Sequence, residues 1–246
     1  SPLKHYFQIA KILIQNKNRY DAVVLNANHL RYIFPILISK IVGIPVRVVH
    51  SHNAGDNRKC SFLVSAIIEF NKFIMNNMAT DFWACSKVAG NWMFEKDKPF
   101  KVIHNAVDLN ALSYKPAIRK VVREKLGLDD KIIFANIGRV VPQKNHIRLI
   151  EIYNDIQQTV NNSVLLLIGD NTFDKSYVEQ VSSKINELGL SDKIIFLGQR
   201  SDAHDLMQAV DCILMPSLYE GLSVLLVEAQ AMNVPCIVSD TVSRET

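Results

Sequence analysis

In Met215-Pro-Ser-Leu-Tyr-Glu-Gly-Leu-Ser-Val-Leu-Leu-Val-Glu228, an apolar strand pattern ends at Met215, a polar turn runs through Gly221, and a helical pattern starts near Leu222. The first turn of a helix presents unpaired backbone N–H groups, and Gly221 allows close approach, so this turn suits a phosphate. Glu228 lies about 9 Å further along at ~1.5 Å per residue. A carboxylate there can accept hydrogen bonds from both hydroxyls of a ribose diol, and Glu220 in the turn can reach the far end of a nucleotide sugar. Spacing alone proves little, because Glu179 and Glu187 are also eight residues apart within one amphipathic pattern. Context separates the two pairs. Glu228 is a lone carboxylate among Val224, Leu225, Leu226, Val227, Ala229 and Ala231, where an unpaired charge is costly. It needs a partner, either a ligand or a structural salt bridge.

A second stretch, Phe134-Ala-Asn-Ile-Gly-Arg-Val-Val-Pro-Gln-Lys-Asn-His146, ends a strand in Gly138-Arg139 and places Lys144 at the start of the next helix. Two cations and a helix N-terminus would converge there. A charge-assisted hydrogen bond is worth roughly 1.5 to 3 kcal/mol, so the group could hold a departing diphosphate without a metal; surface cations in a βα loop are the alternative. A third stretch, Val48-Val-His-Ser-His-Asn-Ala-Gly55, puts His50 and His52 on one strand face. Zinc would need a third ligand, for which Asp56 is the nearby candidate. A hydrogen-bond donor lining a cleft and a satisfied buried histidine are the other readings. His29, His146 and His204 read as surface or loop residues, and the scattered aromatics as core.

Rigid elements must stand behind these residues. Strand patterns occupy Ala22 to Leu25, Val46 to His50, Asp81 to Cys85, Lys101 to His104, Lys131 to Ile137, Val164 to Ile168, Lys193 to Leu197, Asp211 to Met215 and Pro235 to Val238. They alternate with helical patterns such as Ile147 to Ile156 and Tyr177 to Leu188, which is the βαβ signature. Several strands are apolar on both faces, as buried parallel strands are. The organisation changes between Asn105 and Leu126, which predicts two domains, residues 1–108 and 109–246. Each would be a parallel sheet with helices on both faces, with ligands beyond the carboxyl ends of the strands in a cleft between them. The opening helical pattern has no strand before it, and the chain stops soon after the strand that leads to Ser239-Asp240, so it reads as a partial chain.

Composition narrows the class. Hydrophobic residues at 48% and charged residues at 21% exclude a disordered or low-complexity chain. Cys60, Cys85, Cys212 and Cys236 form no C-x-x-C pair, which removes a zinc ribbon or dithiol centre and favours a reducing compartment. No apolar run approaches ~18 residues and the first residues do not read as a signal peptide, so the chain reads as not integral to a membrane. Residues 1–115 carry 15 Lys and Arg against 7 Asp and Glu, whereas 116–246 carry 13 against 17. The basic part could hold an anionic membrane surface, a phosphorylated acceptor or nucleic acid, or be a solvated face, since like charges never run beyond two or three residues. D-x-D, P-loop, G-x-S-x-G and G-x-G-x-x-G motifs are all missing, which removes support for metal-held nucleotide sugars, ATPases, serine hydrolases and ordinary dehydrogenases.

In this order the stretches resemble the retaining nucleotide-sugar glycosyltransferases of family 4, α/β proteins of the GT-B fold with two Rossmann-like parallel-sheet domains. Against that family the first domain is incomplete at its N-terminus and the second lacks its last helices. The resemblance implies a donor site of Gly138, Arg139 and Lys144 for the diphosphate, Gly169 at the following strand end, Arg200 in the base-side loop, and Ser217, Glu220, Gly221 and Leu222 around the sugar and phosphates. Glu228 would hold the ribose. On the acceptor side it implies His50, His52 and Asn53, with His52 ahead of His50 facing the reacting sugar. The catalytic set would be His52, Glu220, Arg139 and Lys144, with no metal and no cofactor beyond the donor itself. Ile103-His-Asn-Ala-Val-Asp108 is similar to the family's crossing between domains. Ala106 and Asn145 stand where glycine is usual, and Ser223 where proline is common. The implied activity is transfer of a sugar to a hydroxyl in polysaccharide assembly, with retention. The implied partners are a nucleotide sugar, a lipid-linked oligosaccharide acceptor and an anionic membrane surface, and not nucleic acid; the place is the cytoplasm, at the inner face of the membrane. A nucleotide-sugar epimerase of similar architecture and a non-catalytic nucleotide- or partner-binding fragment are the rival readings.

Overall fold

The computed structural model describes residues 2–55 and 61–245. Asp56 and Cys60, named above as a ligand candidate and as a cysteine, lie outside the described residues. The chain forms two compact units. One takes Ser1–Asn105 with Glu220–Leu222 and Ser243–Glu245, the other Ala106–Tyr219 with Ser223–Val242. The division therefore falls at 105/106 rather than at the expected 108/109. The reason is local: Asp108 accepts hydrogen bonds from the N–H groups of Asn110 and Ala111 and so starts the first helix of the second unit.

In the first unit the order is α1 (Pro2–Gln15), β1 (Ala22–Ala27), α2 (Phe34–Ile41), β2 (Val46–Ser51), α3 (Phe62–Met78), β3 (Asp81–Ala84), α4 (Lys87–Met93) and β4 (Lys101–Val102). The four strands pair in parallel in chain order. β2 lies inside the sheet, with Val48 and Val49 buried on its opposite faces, as in a strand covered on both sides. Arg47 is buried beside them, its Nε and Nη1 donating to the carbonyls of Met78, Ile44 and Pro45, which offsets the cost of burying its charge. The last strand is shorter than the Lys101 to His104 expected from the sequence. His104 leaves the ladder, and its Nδ1 lies 3.1 Å from the Cys85 carbonyl.

In the second unit the order is α5 (Leu109–Leu112), α6 (Pro116–Leu126), β5 (Ile132–Ile137), α7 (His146–Thr159), β6 (Ser163–Ile168), α8 (Lys175–Glu187), β7 (Ile194–Gly198), α9 (Ala203–Ala209), β8 (Cys212–Met215), α10 (Val224–Ala231) and β9 (Cys236–Val238). The sheet is parallel in the order β7-β6-β5-β8-β9. β6 is buried along its whole length, and its alternation builds two cores. Val164, Leu166 and Ile168 face Leu206, Met207, Leu226 and Ala229. Leu165 and Leu167 face Leu149, Ile150, Tyr153 and Val181. At the amino end of β8, Asp211 accepts the Ile133 N–H and pairs with Arg119 and Arg123 from α6. Burial alone would raise its pKa, but these donors outweigh it and hold the carboxyl below its usual range. Among the described residues no helix is long and apolar enough to cross a membrane.

The carboxyl ends of β5, β6 and β7 continue as a ladder of turns: Gly138 N–H donates to Ile168 O, Val140 N–H to Asp170 O, and Gly169 N–H to Gly198 O, each at 2.8 Å. Gly169 has φ +148°, and a Cβ there would lie 2.1 Å from the Gly138 carbonyl oxygen. Backbone cannot yield as a side chain can. Gly169→Ala is expected to destabilise the fold by about 2 to 4 kcal/mol and to lower the melting temperature by roughly 5 °C or more. Calorimetry giving a melt within ~1 °C of the parent would show that the two turns part freely.

Candidate functional site

In the second unit the chain order of the strands reverses between β5 and β8, and an open parallel sheet binds ligands beyond the carboxyl ends at such a reversal. The turns that leave these two strands are tied together. Asn136 Nδ2 donates to Leu214 O at 2.7 Å, Gln143 Nε2 to Tyr219 O at 3.0 Å, and Leu218 N–H to Gln143 O at 2.9 Å. Ser217, expected as a donor contact, is fully buried. Its carbonyl accepts from Ser239 and Thr241, and its hydroxyl has no partner among the described residues.

Two of the expected cations sit on the β5 side of this reversal. Arg139 is exposed, with its guanidinium 5.2 Å from the ring centre of Phe173, a cation–π distance. Phe173 is itself exposed, so the reading of the aromatics as core misses it; a lone aromatic after Ile168-Gly-Asp170 carries no periodicity that would reveal it. Asp170 is held below its usual pKa, chiefly by hydrogen bonds from Thr172 and also by the Arg139 charge. Lys144 is half-buried and lays its stem beside Gly138, where a Cβ would meet its Cε at 3.3 Å. Asn145 has φ 55° and ψ 48° and serves as the N-cap of α7. Asparagine is the non-glycine residue that tolerates this left-handed conformation best, so its replacement of glycine leaves the turn intact. Ala106 does not adopt positive φ and needs no glycine.

His146 is buried, not at the surface. It opens α7 directly after the Lys144 turn, and its pKa is pushed down to about 4 by burial first and by the Lys144 charge second. A buried, neutral imidazole thus follows the cation in the chain. Arg200 is engaged within its own loop, donating Nε and Nη2 to the two oxygens of Asp202 at 2.8 and 2.7 Å; that pairing pulls Asp202 down to about 2. Glu228, in mid-α10, has a protein partner that sequence reasoning placed on the surface: His204 Nε2 lies 3.1 Å from Glu228 Oε1.

The first unit gathers the other expected residues at the carboxyl end of β2. The rings of His50 and His52 are 4.0 Å apart, and His52 Nε2 lies 3.2 Å from Asn26 Oδ1. Both imidazoles are shifted toward the neutral form, by burial first and, for His50, by its neighbour His52. Asn53 spends its side chain on its loop, donating to Asn28 O and Gly55 O and accepting from the Ala54 N–H. Gly221 belongs to this unit, where a Cβ would lie 2.5 Å from the His52 carbonyl oxygen. Its small size is required by the protein backbone at this point. Ser86 Oγ donates to Gly221 O at 2.6 Å and Asn105 Nδ2 to Leu222 O at 2.9 Å. Leu222 is buried in the core of the first unit and is an anchor, not the start of a helix. α10 begins two residues later, at Val224, with Ser223 as its N-cap. Glu220 is buried to 9% exposure. Among the described residues no three His, Cys, Asp or Glu side chains converge as a metal cage would require.

Parallel Rossmann-like sheets with a basic strand end and a carboxylate helix define a class, and comparison with known proteins identifies it. Residues 118–244 match the family model for glycosyl transferases group 1, and the chain belongs to that family. EpsF of Bacillus subtilis (strain 168) is 30% identical over 221 residues, covering 86% of this chain and 56% of EpsF. The UDP-Gal:alpha-D-GlcNAc-diphosphoundecaprenol alpha-1,3-galactosyltransferase of Escherichia coli is 35% identical over 146 residues, 56% of this chain and 36% of that enzyme. The chain thus spans about half the length of these curated relatives, or less. The Anabaena protein HepE, solved in complex with UDP-glucose, superposes with a TM-score of 0.79 at 25% identity, over 95% of this chain and 63% of HepE. The expected fold class, α/β with two Rossmann-like parallel-sheet units of GT-B type, is the one found.

Because the folded His146 pKa lies below the unfolded value near 6.5, its contribution to stability is fully present above about pH 6.5 and is lost as pH falls toward 4. Chemical denaturation from pH 7 to pH 4.5 is expected to show a decline of about 1 to 3 kcal/mol that His146→Gln lacks. Parallel pH slopes for the two proteins would contradict the buried neutral imidazole.

Proposed function

We propose that this chain is the greater part of the catalytic machinery of a retaining glycosyltransferase, which moves a sugar from a nucleoside diphosphate sugar to a hydroxyl acceptor during polysaccharide assembly. The observation that carries the proposal is the placement of Arg139 and Lys144 around Gly138 at the strand reversal, with Glu228 on the helix that follows β8. The two cations would stabilise charge growing on the departing diphosphate, which is preorganised electrostatics and not proton chemistry. Ser223 makes no side-chain cap on α10; its carbonyl takes the Leu226 and Val227 N–H groups, so phosphate oxygens would meet those of Val224 and Leu225. Glu228 would accept from the ribose hydroxyls, and Gly169 keeps the neighbouring turn close to Gly138. Arg200 would border the base side as a fixed pair with Asp202. Glu220 and a neutral His52 would meet the reacting sugar, with His50 behind it.

The names of the relatives support the donor and acceptor classes. HepE was solved with UDP-glucose, and the E. coli relative is named for a UDP-galactose donor and a diphosphoundecaprenol acceptor. The family and that relative are transferases, which favours transfer over epimerisation. Titration with UDP, GDP, ADP and CMP sugars is expected to raise the melting temperature with one nucleotide class. Arg139→Ala, Lys144→Ala and Glu228→Gln should each weaken that ligand by about 10-fold or more. A panel without response, or unchanged affinity in both cation variants, would end the proposal.

The proposal extends to peripheral attachment at the inner, anionic face of a membrane, where a lipid-linked acceptor would be met. Supporting it are the basic balance of residues 1–115 and an outward stripe on α3, with Phe62, Leu63, Ile67, Phe70 and Phe73 exposed by 54% to 85%. A helix that turns such a face to solvent suits the headgroup region of a bilayer. Co-sedimentation should be stronger with phosphatidylglycerol vesicles than with phosphatidylcholine vesicles, and Phe62→Glu with Phe70→Glu should remove most of it. Equal recovery with both vesicles, or no loss in the double variant, would discard the attachment.

A further inference from the structure

We infer that His204 is a positioning residue for Glu228, holding the carboxylate in the orientation that receives a nucleotide's ribose. The inference rests on the reading of Glu228 as the ribose-binding group and deepens it. Both residues stand on packed helices: Leu206, Met207 and Ala209 of α9 share one core with Leu226 and Ala229 of α10. Their backbones are therefore fixed by burial, while the side-chain ends emerge, Glu228 at 20% exposure and His204 at 57%. His204 Nε2 approaches Oε1 of Glu228 at 3.1 Å, and among the described residues this is the one hydrogen bond or ion pair that the Glu228 side chain makes. Arg200, four residues earlier, directs Nε and Nη2 at Asp202 and not at Glu228.

An ionised carboxylate offers about four lone-pair sites. One of them, on Oε1, is met by His204 when Nε2 carries the proton, which leaves Oε2 for the donor hydroxyls of a diol. A glutamate with three rotatable torsions loses much freedom when it binds a ligand, and a protein contact that orders it beforehand removes that cost from binding. In the sequence His204 gave no signal, because it is separated from Glu228 by a whole strand and turn.

The test uses UDP, GDP and ADP with the full chain by calorimetry, followed by the 2′-deoxy form of whichever nucleotide binds. The parent protein should prefer the ribonucleotide. Glu228→Gln should erase that preference. His204→Ala should weaken the ribonucleotide about 5-fold to 10-fold while leaving the 2′-deoxy form within ~2-fold, so that the ratio collapses without general damage. His204→Gln, whose amide N–H can reach the same carboxylate, should recover most of the ratio. If His204→Ala keeps the full ratio while Glu228→Gln loses it, His204 is a surface neighbour only and the ribose reading stands. A ratio unchanged in Glu228→Gln removes the ribose reading itself, and failure of all three nucleotides to bind removes both. Should His204→Ala melt early, a His204→Gln protein that melts like the parent yet lacks the ratio also overturns the inference.

Discussion

The second unit depends on the pairing of β5 with β8, two parallel strands between which the order of the sheet turns round. Helices can cover the faces of the sheet on either side, but the chain leaves these two strands in opposite directions, so their carboxyl ends open onto a crevice. That gap is held at both extremities. At the amino end Asp211 joins the Ile133 N–H to two arginines of α6. At the carboxyl end the side chains of Asn136 and Gln143 bond carbonyls across the reversal. A site built on such a seam inherits its rigidity, because the residues that ring it leave from strands whose hydrogen bonds cannot be lost singly.

Electrostatics at the seam follow from what lies beneath each charge. Lys144 rests beside Gly138, and its charge helps to keep the buried His146 imidazole neutral. Arg139 is braced by the face of Phe173 and not by a full ion pair. Arg200 is the contrary case, with Nε and Nη2 already matched by the two oxygens of Asp202. The first unit shows the same economy of charge: His50 and His52, pressed together, are both shifted toward neutrality.

Much of this was legible from the chain alone. All nine strand patterns correspond to observed strands, because β-branched apolar runs bounded by turns have few other uses in an α/β protein. The strand-end residues Gly138, Arg139, Lys144 and Gly169 were legible as well, since each is placed by the strand it follows. What failed was everything that depends on who sits opposite. His146 looked like a loop residue and is buried; Phe173 looked like core and is exposed beneath a guanidinium. Gly221 and Leu222 looked like the threshold of a helix, yet one is pressed on the His52 carbonyl and the other fills a core.

The linear sequence by itself determined the periodicities, and with them the strands, the helices, the two-unit plan and the positions of cations relative to strand ends. These are properties of neighbours within about ten residues, where local sterics and amphipathic spacing act. Tertiary structure alone decided the partners: His204 for Glu228, the His52 backbone for Gly221, and two carbonyl-seeking amides across β5 and β8. Such pairings are chosen by whichever group packing brings within about 3 Å of a polar atom that has left water, and no spacing rule along one chain encodes that distance.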